Sequence, residues 1–393
     1  MDPSIEESAA HGDGPPTNSS TECNETTSQA HCCGKHTSEE ELQSLRQVLD
    51  AFTGYNQYQR QHLFEKISQF QSLSQEHKAL LEPTHSIHTR KLIDCIEHNQ
   101  KVLDQIIYMG LPAFGELGER ASDGESRIPT SHHMGKLQST LKQIVREWSD
   151  AGAAERAATY APLLTELDLR FPKDNREKIR VLVPGAGLGR LAWEVAALGF
   201  DSVANEFSAF MLITSYFILN ECNQEKQLTI YPYVSSSSNR WSYEDQTRAV
   251  SFPDLCPTTT LPTTRDPPMS MSSGDFLTSF DGDEGKYSAI VTSWFLDTAH
   301  NVIDYIEHVN RLLVVGGVWI NAGPLLYHYS DTPDELSIEL PFDEILRIAG
   351  LRGFRIDTQR RLSSLYAGDD RCMMHTKYDC GFFVAIKEEG IEK

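Results

Sequence analysis

The ten residues from Val181 to Arg190 read Val-Leu-Val-Pro-Gly-Ala-Gly-Leu-Gly-Arg, and they constrain the fold more than any other stretch. A short apolar run leads into three glycines at alternate positions and then into a helical pattern. Glycine accepts positive φ and lets backbone approach a ligand closely, so the reading is a strand, a tight turn and a helix. From Ile179 the same grammar repeats. Strands are predicted at 179–183, 202–205, 228–233, 287–294, 317–321, 354–358 and 381–386. Helices are predicted at 190–198, 208–220, 301–312 and 342–349. Short apolar strands alternating with helices imply βαβ units and a mostly parallel sheet covered on both faces. The last two strands predict a hairpin-like edge. The stretch 234–274, rich in Ser, Thr and Pro, breaks the rhythm and reads as an irregular insertion.

Upstream of the turn the pattern is helical. Leu92, Ile96, Leu103 and Ile107 recur at helix spacing, as do Leu137, Leu141, Ile144, Val145 and Trp148. The first 40 residues hold eight acidic residues, one Lys and no aromatic residue, too little apolar surface to offset the entropy of ordering. The expected organisation is a disordered acidic tail over 1–39, a helical region over 40–175 and an α/β domain over 176–393 that contains the 234–274 insertion.

Charge narrows the choice of partners. With 35 Lys and Arg against 56 Asp and Glu, the formal net charge is −21. That balance disfavours nucleic acid and anionic membranes, both of which call for clustered cations. The longest apolar run, Leu312 to Ile320, is too short to span a bilayer. No secretory signal is visible, so the eight cysteines read as reduced thiols and the chain as cytoplasmic, or also nuclear. His31, Cys32, Cys33 and His36 lack paired ligand spacing, and no metal is expected. The sequence leaves open whether the chain is a homodimer.

Several residues can carry chemistry. The spacing Gly185-x-Gly187-x-Gly189 departs from the pattern that cradles a dinucleotide pyrophosphate and suits a nucleoside with a different tail. Glu206, directly after the second strand, can accept hydrogen bonds from ribose hydroxyls. Asp275 and Phe276 can meet an adenine amino group and ring, or be a turn and a core residue. Ser293, Asp297 and His328 follow strand ends, where ligands bind in open α/β sheets. Asp297 also reads as a helix cap, and His328 as a structural histidine. Gln143 and Arg146 share one helix face, where Arg suits a carboxylate and the alternative is a solvated surface.

The segments VLVPGAGLGRLAWE, NEFSAFML, SGDF, DTAHNVIDYI, GGVWINAGPLLYH and SIEL resemble carnosine N-methyltransferases, and the resemblance spans roughly residues 40 to 387. It implies an α/β fold, a Rossmann-like seven-stranded class I methyltransferase sheet with an N-terminal helical region. It implies that Gln143, Arg146, Gly185, Gly187, Gly189, Glu206, Asp275, Phe276 and Ser293 contact S-adenosyl-L-methionine. It further implies that Asp297, His328 and Tyr378 contact carnosine, a small histidine-containing peptide, with Asp297 also catalytic. Tyr366 rivals Tyr378, and Ser293 stands where the family pattern has Cys. A protein histidine methyltransferase and a nicotinamide-dependent oxidoreductase are the alternative readings. A non-enzymatic cofactor-binding module is a third.

Overall fold

The structure is a computed structural model that describes residues 38–124, 127–261 and 269–389. Of the predicted acidic tail only the last two residues fall among these, and they already begin the helix Ser38–Thr53. The His31 to His36 group lies outside the described residues.

The strands are β1 (Arg180–Pro184), β2 (Asp201–Glu206), β3 (Leu228–Ile230), β4 (Val250–Phe252), β5 (Met269–Ser273), β6 (Tyr287–Ser293), β7 (Leu313–Gly323), β8 (Phe354–Leu365) and β9 (Lys377–Lys387). Seven of them form one sheet in the order β5-β2-β1-β6-β7-β9-β8. The strands from β5 to β7 are parallel, and β9 and β8 close the far edge as an antiparallel pair. The chain winds outward from β1 in one direction and then returns to β6 on its other side. Between β1 and β6 lies the switch point at which open α/β sheets bind ligands.

One predicted strand sits elsewhere. Leu228–Ile230 is not in the main sheet but pairs antiparallel with β4 in a separate two-stranded ribbon. The edge beside β2 is held by β5, from inside the stretch read as an irregular insertion. The reason is chemical: β5 reads Met-Ser-Met-Ser-Ser, with no β-branched residue, and as an edge strand it needs only one buried face.

Successive side chains of β1 point to opposite sides of the sheet. Val181 and Val183 pack with Leu163 and Leu167 of the helix Ala153–Arg170 and with Leu191 and Val195 of the helix Arg190–Ala197. Leu182 faces the opposite layer, built on the helices Val302–Leu312 and Phe342–Leu351. The helix Ala209–Glu221 has no polar face. It is apolar all round because the helices Thr84–Gly110 and Ser131–Trp148 cover the side that would otherwise meet water. Phe210, Ile213 and Phe217 therefore share one core with Leu103, Ile106 and Leu141, so the helical region and the sheet are joined through it.

That junction is tight at Gly110, where an added Cβ would stand 2.5 Å from the Ile213 carbonyl oxygen. Alanine gains up to about 1 kcal/mol of helix propensity, whereas overpacking costs about 1–3 kcal/mol. Gly110→Ala is therefore expected to lower stability by about 1–2 kcal/mol in urea denaturation. An unchanged midpoint would mean that the two helices part without cost.

Candidate active site

The glycine turn grows from the end of β1. Gly185, Gly187 and Gly189 have φ of 62°, 57° and 82°, which side-chain-bearing residues rarely adopt. Space forbids a side chain as well. A Cβ on Gly185 would lie 2.4 Å from the Phe295 ring, and one on Gly187 would lie 2.8 Å from Glu147 Oε1. Glu206 ends β2 and holds the turn from the other side. Its Oε2 accepts from the Gly187 N–H at 2.8 Å, and its Oε1 from Phe207 and Ser208 at 2.9 and 2.8 Å. Burial pushes the Glu206 carboxyl above its usual range, while these three N–H donors pull it down.

Gln143 and Arg146 lie on the helix Ser131–Trp148, whose start is capped by Thr130 accepting from the His133 N–H at 3.2 Å. They do not form a solvated face. Both are buried, as is Glu147 beside them. Arg146 Nε donates to Glu155 at 2.8 Å and Nη1 to the Tyr160 hydroxyl at 3.3 Å, with Glu147 Oε1 at 3.7 Å. Burial opposes the Arg146 charge, but the neighbouring tyrosines and glutamates outweigh it and hold the guanidinium ionised. Gln143 donates to the Tyr366 hydroxyl. Arg146 sits 4.9 Å from the centre of the Tyr366 ring, within cation–π range.

At the end of β6 stand Ser293 and Trp294. The Trp294 ring lies between Tyr366, at 4.5 Å, and Tyr378, at 5.0 Å, so both candidate tyrosines border it. Asp297 follows on a single 3-10 turn, Leu296–Thr298. Its Oδ2 accepts from the Leu326 N–H at 2.9 Å, and its carbonyl accepts from the His328 N–H at 2.9 Å. The two segments after β6 and β7 are thereby brought together on one rim. Burial raises the Asp297 carboxyl, against the pull of the Leu326 N–H and the His328 imidazole. His328 itself is exposed.

Asp275 and Phe276 follow β5, tied next to Glu206 by the bond from the Gly274 N–H to the Glu206 carbonyl at 3.0 Å. Asp275 is an exposed turn residue that accepts from the Leu277 N–H. The Phe276 ring is core, edge-on to Phe280, Phe295, Tyr305 and His308.

Ligand capacity shows in unpaired atoms. Gln143 Oε1, Arg146 Nη2, Ser293 Oγ and Trp294 Nε1 are buried and have no hydrogen-bond partner within the protein. Such atoms are rare in folded proteins. Here Arg146 and Ser293 line a small cavity with Glu147, Tyr160, Gly185 and Ala186, and Gln143 and Trp294 both meet Tyr366 beside Arg146. The donors and acceptors present fit an amino acid joined to a nucleoside. Among the described residues no group of three or more His, Cys, Asp or Glu side chains is arranged to hold a metal. Glu147, Glu155, Tyr160 and Trp294 escaped the sequence reading. Only their closeness in the chain to Arg146 and Ser293 hinted at them.

Comparison with known proteins accords with this geometry. Residues 123–389 match the family model described as carnosine N-methyltransferase. A carnosine N-methyltransferase of Mus musculus is 40% identical over 354 residues, covering 89% of this chain and 87% of its own. That of Schizosaccharomyces pombe is 38% identical over 363 residues, covering 88% and 96%. That of Dictyostelium discoideum is 33% identical over 365 residues, covering 89% and 77%. With its glycine turn, its Asp297 rim and these matches along most of its length, this chain belongs to the carnosine N-methyltransferase family.

Proposed function

We propose that this protein methylates the imidazole of carnosine to give anserine, with S-adenosyl-L-methionine as the methyl donor. The observation that carries the reading is the set of buried, unpartnered polar atoms of Gln143 and Arg146 on the helix Ser131–Trp148 and of Ser293 and Trp294 at the end of β6, the strand that leads to Asp297. When bound, the donor supplies an electrophilic sulfonium methyl.

The residues of the chain divide into two groups. On the donor side, Glu206 Oε2, with one backbone N–H against two on Oε1, is the oxygen left to take a ribose hydroxyl. Arg146 Nη2 takes a carboxylate, Gln143 and Ser293 add polar contacts, and Asp275 lies beside Glu206 to meet the adenine amino group. The glycines let the backbone of the turn approach.

On the acceptor side, an imidazole has an ordinary pKa of about 6.5, so at neutral pH most of it is already the neutral nucleophile. A strong base is not needed. What the protein supplies is a tautomer and a direction of approach. Asp297 Oδ2 is held by the Leu326 N–H, which leaves Oδ1 to accept the N–H of the ring nitrogen that is not methylated. That bond turns the lone pair of the other nitrogen outward. It also stabilises the positive charge that develops on the ring as the new N–C bond forms and the S–C bond to the methyl breaks, its electron pair staying on the sulfur of the departing S-adenosylhomocysteine. The proton stays on the ring nitrogen facing Oδ1 until the product releases it to water. His328 and Tyr378 hold the remainder of the dipeptide.

Two substitutions separate the two halves of the site. Asp297→Asn is expected to lower turnover about 10²- to 10⁴-fold, as when a tautomer-fixing carboxylate is lost, with donor affinity within about twofold of the parent. Turnover is read as anserine formed from labelled donor by mass spectrometry, and an unchanged rate would remove Asp297 from its role. Glu206→Ala is expected to weaken donor affinity by about 10- to 100-fold in calorimetry, the loss of one charged hydrogen bond and of support for the turn. Glu206→Gln keeps an acceptor and should lose less. Equal loss in the two variants would mean that the carboxylate acts only through the turn.

A further inference from the structure

Glu147 is a buried carboxylate with a divided set of partners. Its Oε2 accepts from the backbone N–H groups of Leu188 and Arg190, at 3.1 and 3.3 Å, where the glycine turn becomes a helix. Its Oε1 points the other way, toward Gly187 and the cavity at the end of β1, and stands 3.7 Å from Arg146 Nη1. Arg146 is divided in the same manner. Nε and Nη1 are engaged by Glu155 and Tyr160, while Nη2 is buried without a partner. One cavity is therefore faced by a cationic nitrogen and an anionic oxygen on adjacent residues.

We infer that Arg146 and Glu147 together read a zwitterion: Arg146 Nη2 takes the α-carboxylate of the donor's amino-acid arm, and Glu147 Oε1 takes its α-ammonium. The inference rests on the donor reading given above and assigns Glu147 as a binding residue of that site.

Charge supports it. Arg146 is matched against two buried carboxylates, Glu147 and Glu155, so the cluster carries one excess negative charge when both are ionised. A zwitterion with a sulfonium brings one positive charge, which the pocket is built to balance. Burial, with the nearby Glu206 carboxylate, lifts the Glu147 carboxyl to about 7 against the pull of Arg146 and the Leu188 and Arg190 N–H groups, and an ammonium beside it favours the ionised form. The same carboxylate selects against phosphates. The N-terminus of the helix Arg190–Ala197 is the place where a dinucleotide would seat its pyrophosphate, and Glu147 Oε2 already occupies those N–H groups. A nucleotide phosphate would find those N–H groups taken by a carboxyl oxygen.

The test is calorimetry on the full-length protein with three probes: S-adenosylhomocysteine, its analogue lacking the α-amino group, and 5′-methylthioadenosine, which lacks the amino-acid arm. The parent protein is expected to prefer S-adenosylhomocysteine over the deaminated analogue by about 10- to 100-fold. Glu147→Gln keeps an acceptor for the turn and should erase most of that preference. Its affinity for 5′-methylthioadenosine should stay within about twofold of the parent. Equal weakening toward all three probes would assign Glu147 to the turn alone and overturn the proposal. So would a parent protein that does not discriminate the deaminated analogue, a result that needs no variant to fold. Failure of the parent to bind S-adenosylhomocysteine at all would instead overturn the donor reading.

Discussion

The site depends on a grip that the end of one helix takes on the glycine turn. Three residues in left-handed conformations cannot hold themselves, since glycine loses more freedom on folding than any other residue. Here the last residues of the helix Ser131–Trp148 supply what the turn lacks. Trp148 Nε1 donates to the Leu188 carbonyl at 3.0 Å, Glu147 Oε2 accepts from Leu188 and Arg190, and Arg190 Nη1 donates back to the Glu147 carbonyl at 2.9 Å. The turn is satisfied from a segment that precedes the sheet in the chain. The helical region is thus part of what holds the glycine turn and not a cover laid over a finished domain.

The same grip explains why so much charge is buried around it. Arg190 Nη1 and Arg156 Nη2 share Asp254, at 2.7 and 2.6 Å, and Arg156 Nη1 also donates to the carbonyls of Arg146 and Ser149, both at 2.8 Å. Buried ion pairs add little net stability compared with apolar packing, but removing one partner costs about 3–5 kcal/mol. Their role here is geometric. The two arginines satisfy carbonyls at the end of the helix, where no intrahelical donor remains, and fix the direction in which Arg146 and Glu147 leave it. Across the cavity Glu155 accepts from the Ala367 and Gly368 N–H groups at 2.8 and 3.0 Å, which ties the β8–β9 connection to the same cluster. Tyr366, at the start of that connection, is held against Arg146 for this reason.

What the sequence made legible was set by periodicity and by backbone demand. The short apolar run Val181, Leu182 and Val183, buried on both faces of the sheet, and the glycine spacing after it are local signals, and both have direct structural causes. The strand Met269–Ser273 was hidden because its pairing with β2 needs no β-branched residues, whereas Leu228–Ile230 carries the stronger strand composition but pairs elsewhere. Gln143 and Arg146 drew notice as polar residues on one helix face. Their burial was not readable, because it depends in part on Tyr366, which is distant in sequence. Glu147 gave no signal of its own. A carboxylate on a helix is ordinary until the chain returns, some forty residues later, to place two backbone N–H groups against it.

The acceptor rim is shaped by strain. Trp294 and Tyr327, both bulky, have φ of 56° and 46°. Each such residue costs on the order of 1–3 kcal/mol and persists only where its surroundings over-determine it. The surroundings are visible. The Trp294 N–H donates to the Ala322 carbonyl at 3.0 Å, and Gly323 leaves room that a Cβ would fill at 3.1 Å from the same nitrogen. The Tyr327 hydroxyl accepts from the Leu340 N–H at 2.9 Å, inside the Ser337 to Leu340 segment. The two strained residues lie near Asp297 and His328, Trp294 directly after β6 and Tyr327 after β7. Relaxing either one would swing Trp294 off Tyr366 and Tyr378, or His328 off the Asp297 carbonyl. The strain is the means by which two separate strand ends hold one carboxylate in a fixed position, a geometry that flexible loops at the same positions would not hold.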